Sequence, residues 1–228
     1  MTRYPYLLFD ADNTLFDFDR ANRLAFEASC KVFGLPFSPE LMARYEVHNN
    51  ACWEMFDRGQ ADKEFIVVER FRRFFAELGL DADPVAANDA HLSTLSRCAF
   101  PTPHSVEVCR ELSRSHRLFL ITNAVASVQR GRLSRAEIRP YLEAAFISEE
   151  AGAQKPTREY FDYVFSRIDG INRDNCLVIG DSPTSDLQGA NNYGLPCCWY
   201  NPRRAALPEG LHVDYEITDL RQLYEIVS

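Results

Sequence analysis

Short continuous apolar runs alternate with longer amphipathic stretches along most of the 228-residue chain. Continuous runs are typical of strands that are buried on both faces of a parallel sheet. We predict six such strands: Tyr6–Phe9, Leu118–Thr122, Ala145–Ser148, Cys176–Gly180, Cys197–Tyr200 and the weaker Asp214–Ile217. The stretches between the later runs show the apolar spacing of helices. This alternation predicts an α/β domain with a doubly wound, mostly parallel sheet.

The alternation stops between the first predicted strand and Leu118, where no strand-like run occurs. Glycines and prolines divide this region into helical segments, of which residues 62–80 carry a strongly apolar face. We therefore predict a four-helix domain over residues 18–97. It is inserted into an α/β core formed by residues 1–17 and 98–228.

Composition and charge narrow the class of protein and its partners. A hydrophobic content of 46% is enough for a sizeable core and unlike a disordered chain. The net charge of −8 argues against nucleic acid or an anionic membrane as a partner. Seven cysteines without C-x-x-C spacing favour a reduced chain over a disulfide framework or a zinc site. With no apolar run of signal or membrane-span length, we expect a cytoplasmic protein, monomeric by default.

Polar and charged side chains follow four of the predicted strands. In an open α/β sheet, ligands bind beyond the carboxyl ends of the strands, so we expect these groups to converge. Carboxylates suit Mg²⁺, whereas hydroxyl, amide and ammonium donors suit the oxygens of a phosphate. The groups are Asp10 and Asp12 after the first strand, Thr122 and Asn123 after the second, Lys155 after the third, and Asp181 with Asp186 after the fourth.

This set of groups favours phosphoryl transfer. A carboxylate held by Mg²⁺ can attack phosphorus and form an aspartyl-phosphate. A second carboxylate, when protonated, can protonate the leaving group and later deprotonate water. Asp10 and Asp12 are two residues apart, so we expect them to point the same way and serve one reacting centre. Asp186, near the start of a predicted helix, is placed to orient Lys155 or the metal ligands.

The segments FDADNTLFD, LITNA, AQKP and GDSPTSD, in this order, resemble the four motifs of the haloacid dehalogenase-like (HAD) hydrolase superfamily. The helical insertion after the first motif resembles its C1-type cap. The resemblance implies that Asp10 is the nucleophile and that Asp12 is the general acid/base. It further implies phosphate binding by Thr122 and Lys155, Mg²⁺ ligation by Asp10, Asp181 and the backbone carbonyl of Asp12, and Asp186 as the last acidic position. Asn123 is a phosphate-binding candidate because its amide is a suitable donor.

Three positions depart from the commonest form of these motifs. Asn13 stands where glycine is usual, but asparagine tolerates positive φ, so we expect the turn to form. Ala124 stands where glycine often follows Thr-Asn, and His104 stands where a Pro-Gly turn is common after the cap. Neither position belongs to the charged residues of the motifs.

The motifs are compatible with several functions found in the superfamily. The 2-haloacid dehalogenases resemble this chain in cap type but lack the second aspartate, so Asp12 favours phosphoryl transfer. A mutase, or a phosphatase for a small sugar phosphate or phosphoglycolate, would keep both aspartates. A non-catalytic binding protein is disfavoured because every charged motif residue is present.

A narrower resemblance favours one of these functions. The stretches FDADNTLFDFD, HNNACWEMFDRG, ISEEAGAQKP and CCWYNP are similar to a bacterial group of pyrimidine 5′-nucleotidases. That resemblance implies hydrolysis of nucleoside monophosphates, including noncanonical ones.

Residues of the inserted domain and its hinge have both substrate-binding and structural interpretations. Trp53, with the nearby Phe56, could stack on a nucleobase or belong to the core. Phe16 and Phe18 at the hinge could line the substrate space or pack the linker. Asn49 could contact a base edge or ribose. Arg70, next to further arginines, is expected on a solvated helix face.

Overall fold

The computed structural model describes residues 3–228, which form two compact units. The core unit runs to Phe18 and resumes at Ala99, and the cap unit is Asp19–Cys98. Each boundary lies one residue after the one that we predict from the sequence.

The core unit is built on a six-stranded sheet in which all neighbouring strands are parallel. The strands are β1 (Tyr6–Asp10), β2 (Arg117–Thr122), β3 (Ala144–Ile147), β4 (Cys176–Gly180), β5 (Cys197–Tyr200) and β6 (Tyr215–Ile217). Their order is β3-β2-β1-β4-β5-β6, so the first strand lies centrally between β2 and β4. The predicted fold class is confirmed. Several strand ends differ by one residue from the prediction, and Ser148 begins a helix instead of ending β3.

Ten α-helices are present in residues 3–228. They are α1 (Phe18–Val32), α2 (Pro39–Asp57), α3 (Lys63–Leu78), α4 (Pro84–Leu95), α5 (Ser105–Leu112), α6 (Ala126–Leu133), α7 (Ser148–Ala151), α8 (Arg158–Phe165), α9 (Gln188–Tyr193) and α10 (Leu223–Val227). Short 3₁₀ turns occupy Arg139–Tyr141 and Leu220–Gln222, and a π-helical turn occupies Pro183–Leu187.

Apolar side chains of the sheet are buried on both of its faces, which explains why the strand runs are continuous. Leu7 and Phe9 of β1 belong to one buried cluster, together with side chains of α5, α6 and α10. Leu8 belongs to a second cluster, together with side chains of α8 and α9. The alternation along β1 therefore places helices on both faces and leaves only the strand ends for polar chemistry.

The cap unit has its own aromatic core. Phe26 stacks on Tyr45 with ring centroids 4.4 Å apart, and Phe71, Phe74 and other apolar side chains surround them. Three of the four cap helices, α2, α3 and α4, begin after a residue that caps them. Ser38, Asp62 and Asp83 each accept a hydrogen bond from the first turn of the helix that follows.

Helices long and apolar enough to cross a membrane are absent from residues 3–228. All seven cysteines are buried, and none of them forms a disulfide bond within residues 3–228.

Candidate active site

Three carboxylates meet at the carboxyl end of the central strands. Asp10 is the last residue of β1, Asp181 directly follows the neighbouring β4, and Asp186 lies in the π-helical turn after it. One oxygen of each carboxylate lies within 4.8 Å of the others. Gly180 allows this approach, because a Cβ atom there would lie 2.3 Å from Asp186 Oδ2. The sheet therefore concentrates negative charge where the sequence places its motifs.

Lys155 is the cation of this cluster, and its side chain is only 1% exposed. Its Nζ donates to Asp10 Oδ1 at 2.6 Å, to Asp186 Oδ1 at 2.6 Å and to the backbone oxygen of Ile121 at 3.1 Å. An ammonium group has three donors, so all of them are already used. Lys155 therefore holds the nucleophile candidate Asp10 in place in this arrangement, instead of presenting a free donor to a phosphate.

Asn123 fixes the backbone of Lys155. Its Nδ2 donates to the Lys155 carbonyl at 2.8 Å, and its Oδ1 accepts from the Lys155 backbone N–H at 3.0 Å. The amide side chain thus joins the loop after β2 to the loop that carries Lys155. In this arrangement it positions the backbone of Lys155.

Burial and mutual repulsion disfavour ionisation of the acidic cluster. Burial, followed by the charge of Asp186, raises the pKa of Asp10 to about 7 despite the opposing effect of Lys155. Burial and the charge of Asp10 hold the pKa of Asp181 well above its usual value. Burial alone would lower the pKa of Lys155, but Asp10 and Asp186 outweigh it and raise that pKa. The cluster has more negative than positive groups, so it favours an additional cation.

The acidic cluster fits a divalent cation of the hard type. Its donors are carboxylate oxygens, which Mg²⁺ prefers, and two of them belong to Asp10 and Asp181 with raised pKa values. Asp186 is engaged by Lys155 and also accepts from the backbone N–H of Ser182 at 3.1 Å. Asp10 and Asp181 are therefore the carboxylates best placed to be metal ligands.

Thr122 ends β2 and is 1% exposed. Its Oγ1 accepts from the backbone N–H of Ala124 at 3.1 Å, which leaves the hydroxyl hydrogen for another acceptor. Its backbone N–H donates to Tyr160 Oη at 3.0 Å, and that hydroxyl donates to the Phe146 carbonyl at 2.7 Å. Tyr160 therefore supports the backbone of the site. It is not predictable as a site residue from the sequence, because its apolar neighbours in α8 indicate only a core position.

The loop after β1 carries Asp12. Asn13 has a φ of 58°, as we expected for this turn, and its Oδ1 accepts from the backbone N–H of Phe18 at 3.1 Å. The Asp12 side chain is 29% exposed and lies outside the cluster of three carboxylates. Its Oδ1 accepts a hydrogen bond from Arg132 of α6. The sequence pattern does not single out Arg132, because it is one of four arginines within residues 130–139.

The cap residues that we predict as substrate contacts differ in burial and in their neighbours within the cap unit. Asn49 is buried, and its Oδ1 accepts from Arg70 Nη1 at 2.9 Å. Arg70 is 2% exposed, so its expected place on a solvated face is wrong. Trp53 is half-buried and packs edge-on against Phe56, with ring centroids 5.7 Å apart.

The two hinge phenylalanines also differ in burial. Phe16 is buried, and its ring faces the guanidinium of Arg132. Phe18 is half-buried and begins α1. Phe16 therefore packs inside the core unit, whereas Phe18 keeps part of its ring accessible.

A family model described as haloacid dehalogenase-like hydrolase matches residues 4–194. The chain belongs to this family. It is accordingly a hydrolase of the HAD phosphatase type, acting on phosphoric monoesters. The predicted fold, the four motifs and the family resemblance therefore agree with one another.

Relatives of this HAD hydrolase cover its whole length. The pyrimidine 5′-nucleotidase PynA of Streptococcus pneumoniae is 30% identical over 99% of this chain and 95% of its own. The pyrimidine 5′-nucleotidase YjjG of Escherichia coli is 28% identical over 99% and 98%. The crystal structure of the HAD-hydrolase YfnB from Bacillus subtilis, described as bound to magnesium, has a TM-score of 0.93 and 32% identity, covering 98% of each chain.

Proposed function

We propose that this HAD phosphatase is a Mg²⁺-dependent enzyme that hydrolyses nucleoside 5′-monophosphates, with pyrimidine nucleotides, including noncanonical ones, as preferred substrates. The observation that carries the proposal is the 2.6 Å hydrogen bond between Lys155 Nζ and Asp10 Oδ1 inside the acidic cluster at the end of β1. It gives the chain an oriented carboxylate nucleophile. The nucleotide substrate is supported by the names of the two full-length relatives.

The metal ligands in this proposal are the carboxylates of Asp10 and Asp181 and the backbone carbonyl of Asp12. When bound, Mg²⁺ supplies positive charge that offsets the repulsion between the carboxylates and the incoming phosphate. The raised pKa values of Asp10 and Asp181 support a cation at this position.

The chain's own residues divide the reaction into two steps. An Asp10 oxygen bonds to phosphorus while the bond to the nucleoside 5′-oxygen breaks, and protonated Asp12 gives its proton to that oxygen. The Asp12 carboxylate then takes a proton from water, whose oxygen attacks the phosphorus of the aspartyl-phosphate. Breaking the bond to Asp10 releases phosphate and restores both carboxyl groups.

The remaining motif residues hold the reactants in place. The Thr122 hydroxyl donates to a phosphate oxygen, and Tyr160 fixes the backbone N–H of Thr122. Lys155 orients Asp10, and Asn123 orients Lys155. In the cap unit, Asn49 and Trp53 are the candidate contacts for base and ribose, with Phe16 and Phe18 as hinge candidates.

A substrate panel with and without a chelator tests the proposal. UMP, dUMP, dTMP and CMP are compared with a hexose 6-phosphate and phosphoglycolate in Mg²⁺ buffer and in EDTA. We expect hydrolysis of the pyrimidine nucleotides, which is lost in EDTA. Preference for the sugar phosphate or phosphoglycolate would overturn the substrate assignment, and full activity in EDTA would overturn the metal assignment.

The variant Asp10→Asn tests the nucleophile. It keeps the size of the side chain but removes the attacking carboxylate, so we expect turnover to vanish while the circular dichroism spectrum is unchanged. Retention of most of the Mg²⁺-dependent activity by a folded Asp10→Asn protein would rule out the covalent mechanism.

A further inference from the structure

Arg132 lies in α6 with its side chain 1% exposed. Its Nη1 donates to Asp12 Oδ1 and to Gln129 Oε1, the latter at 3.2 Å. Its guanidinium carbon lies 4.5 Å from the centre of the Phe16 ring. The groups in contact with this cation thus include Asp12 and Phe16, which belong to the loop after β1, and Gln129 of its own helix.

The neighbouring arginines of this segment have ordinary surface environments. Arg130 is 70% exposed and pairs with Glu150, and Arg135, which follows the end of α6, donates to the Gly131 carbonyl. Burying a guanidinium is costly unless its charge is compensated. The Asp12 carboxylate compensates the charge of the buried Arg132 guanidinium, and Arg132 in return ties that carboxylate to α6.

Asp12 needs such support because it lies beyond the end of β1. Within residues 3–228, Arg132 is the only hydrogen-bond partner of its carboxylate. The loop backbone is closed by local bonds, such as the one from Phe16 N–H to the Ala11 carbonyl at 2.8 Å. These bonds fix the path of the chain but leave the direction of the Asp12 side chain to Arg132.

We propose that Arg132 is a positioning residue that aims the Asp12 carboxyl group for its two proton transfers. This inference rests on the acid/base role of Asp12 in the proposed function. Asp12 gives its proton to the leaving oxygen and later takes one from water, whereas Arg132 keeps its own protons throughout. A planar guanidinium can bond the carboxylate while stacking on the Phe16 ring, and a lysine ammonium cannot reproduce both contacts.

Leaving groups of different basicity separate this role from a structural one. A nucleoside 5′-alkoxide needs a proton as it departs, whereas p-nitrophenolate is a stable anion and departs without one. The ratio kcat/KM reports only the steps up to departure of the leaving group, so the later attack of water does not affect it. The comparison therefore isolates the first proton transfer.

The experiment compares Arg132→Met with the unmodified enzyme on UMP and on p-nitrophenyl phosphate. We expect kcat/KM for UMP to fall by on the order of 10²-fold, because general acid catalysis is worth about that much or more. For p-nitrophenyl phosphate we expect a fall of less than roughly fivefold, because no proton is needed there. Arg132→Lys should show the same selective loss to a smaller degree, and it provides a second variant if Arg132→Met does not fold.

Two controls distinguish the possible failures. Arg130→Met, on the same helix, should change neither substrate, and Arg132→Met should add little to the effect of Asp12→Asn. If folded Arg132 variants lose activity equally on both substrates, the positioning role is overturned. If Asp12→Asn itself lowers both equally, the acid role of Asp12 in the proposed function fails instead.

Discussion

Two buried cations, Lys155 in the core unit and Arg70 in the cap unit, have opposite kinds of partners. Lys155 donates to two carboxylates and one carbonyl. Arg70 donates to three uncharged oxygens, those of Val67, Asn49 and Asn88, at 2.9–3.0 Å. Their exposed fractions are almost equal, 1% and 2%. The difference between them therefore lies in charge compensation and not in burial.

The pKa shifts follow that difference. Burial lowers the pKa of both cations, but Asp10 and Asp186 reverse the effect for Lys155 and raise its pKa. The pKa of Arg70 stays lowered because its neighbours supply little negative charge. Lys155 lies among carboxylates and holds Asp10 in place, whereas Arg70 joins the cap helices by hydrogen bonds to neutral acceptors. Substituting each cation should therefore have different consequences.

Replacing Lys155 by methionine should produce the largest effect. It leaves Asp10 and Asp186 buried without their cation, which typically costs about 3–5 kcal/mol. We expect turnover to fall by at least about 10²-fold as well, because Asp10 loses its orienting charge. Urea unfolding followed by Trp199 fluorescence in a Trp53→Phe background measures the loss of stability in the core unit.

Arg130→Met is the matched control for this substitution, because it removes an exposed cation of the same unit. It should change stability by less than about 0.5 kcal/mol. A loss for Lys155→Met no larger than that of the control would show that the carboxylates do not depend on Lys155.

Replacing Arg70 by methionine should cost less. The substitution leaves neutral acceptors on Asn49 and Asn88, and an unsatisfied buried polar group costs about 1–3 kcal/mol. Asn49 Oδ1 also faces the Tyr45 hydroxyl at 3.4 Å, so Asn88 suffers the larger loss. Trp53 fluorescence in a Trp199→Phe background follows unfolding of the cap unit.

Arg72→Met is the control for the cap, because Arg72 belongs to the same helix and its side chain is 58% exposed. We expect a change within about 0.5 kcal/mol for it. If Arg70→Met destabilised the protein as much as Lys155→Met, the contrast between charged and neutral partners would be wrong.

The strand ends of the core were predictable from sequence because two local signals coincide there. An apolar run that ends in aspartate marks both a buried strand and a polar edge, as in LLFD before Ala11. Asn13 was predictable as well, because few residues other than glycine adopt its φ of 58°. The raised pKa of Asp10 follows from the same placement, since several carboxylates meet at one sheet edge.

The buried arginines were not predictable, for a physical reason. Arg70 stands beside Arg72 and Arg73, and Arg132 lies two residues from Arg130. Which of these side chains points inward depends on how each helix packs, and apolar periodicity does not contain that information for a charged residue. Tyr160 presents the same difficulty, because its hydroxyl is useful only after β2 and β3 have paired.

The smallest expected effect concerns His91, a buried side chain of the cap unit whose ring can be neutral, unlike the guanidinium of Arg70. It is fully buried, with its ring near those of Tyr45 and Phe71 at centroid distances of 5.8 and 5.7 Å. Burial, followed by the charge of Arg70, holds the pKa of His91 well below its usual value. The folded cap therefore keeps this imidazole neutral at pH values where the unfolded chain protonates it.

The sign of the pH dependence follows from that shift. Above the unfolded pKa of about 6.5 neither state carries the proton, so protonation of His91 does not change stability there. As the pH falls below that value, the unfolded state binds a proton that the folded state does not bind, and the cap loses stability. The loss between pH 8 and pH 6 should be about 0.8 kcal/mol, as RT and the unfolded pKa require.

Urea unfolding at pH 8 and pH 6, followed by Trp53 fluorescence, measures this loss in His91→Phe and the unmodified protein. The phenylalanine variant should lose about 0.8 kcal/mol less over this range, because its ring has no proton to gain. An equal pH dependence in both proteins would mean that the fold accepts a charged His91. Neither burial nor the charge of Arg70 would then keep this imidazole neutral, and the uncompensated charge that distinguishes Arg70 from Lys155 would have no measurable effect on its neighbour.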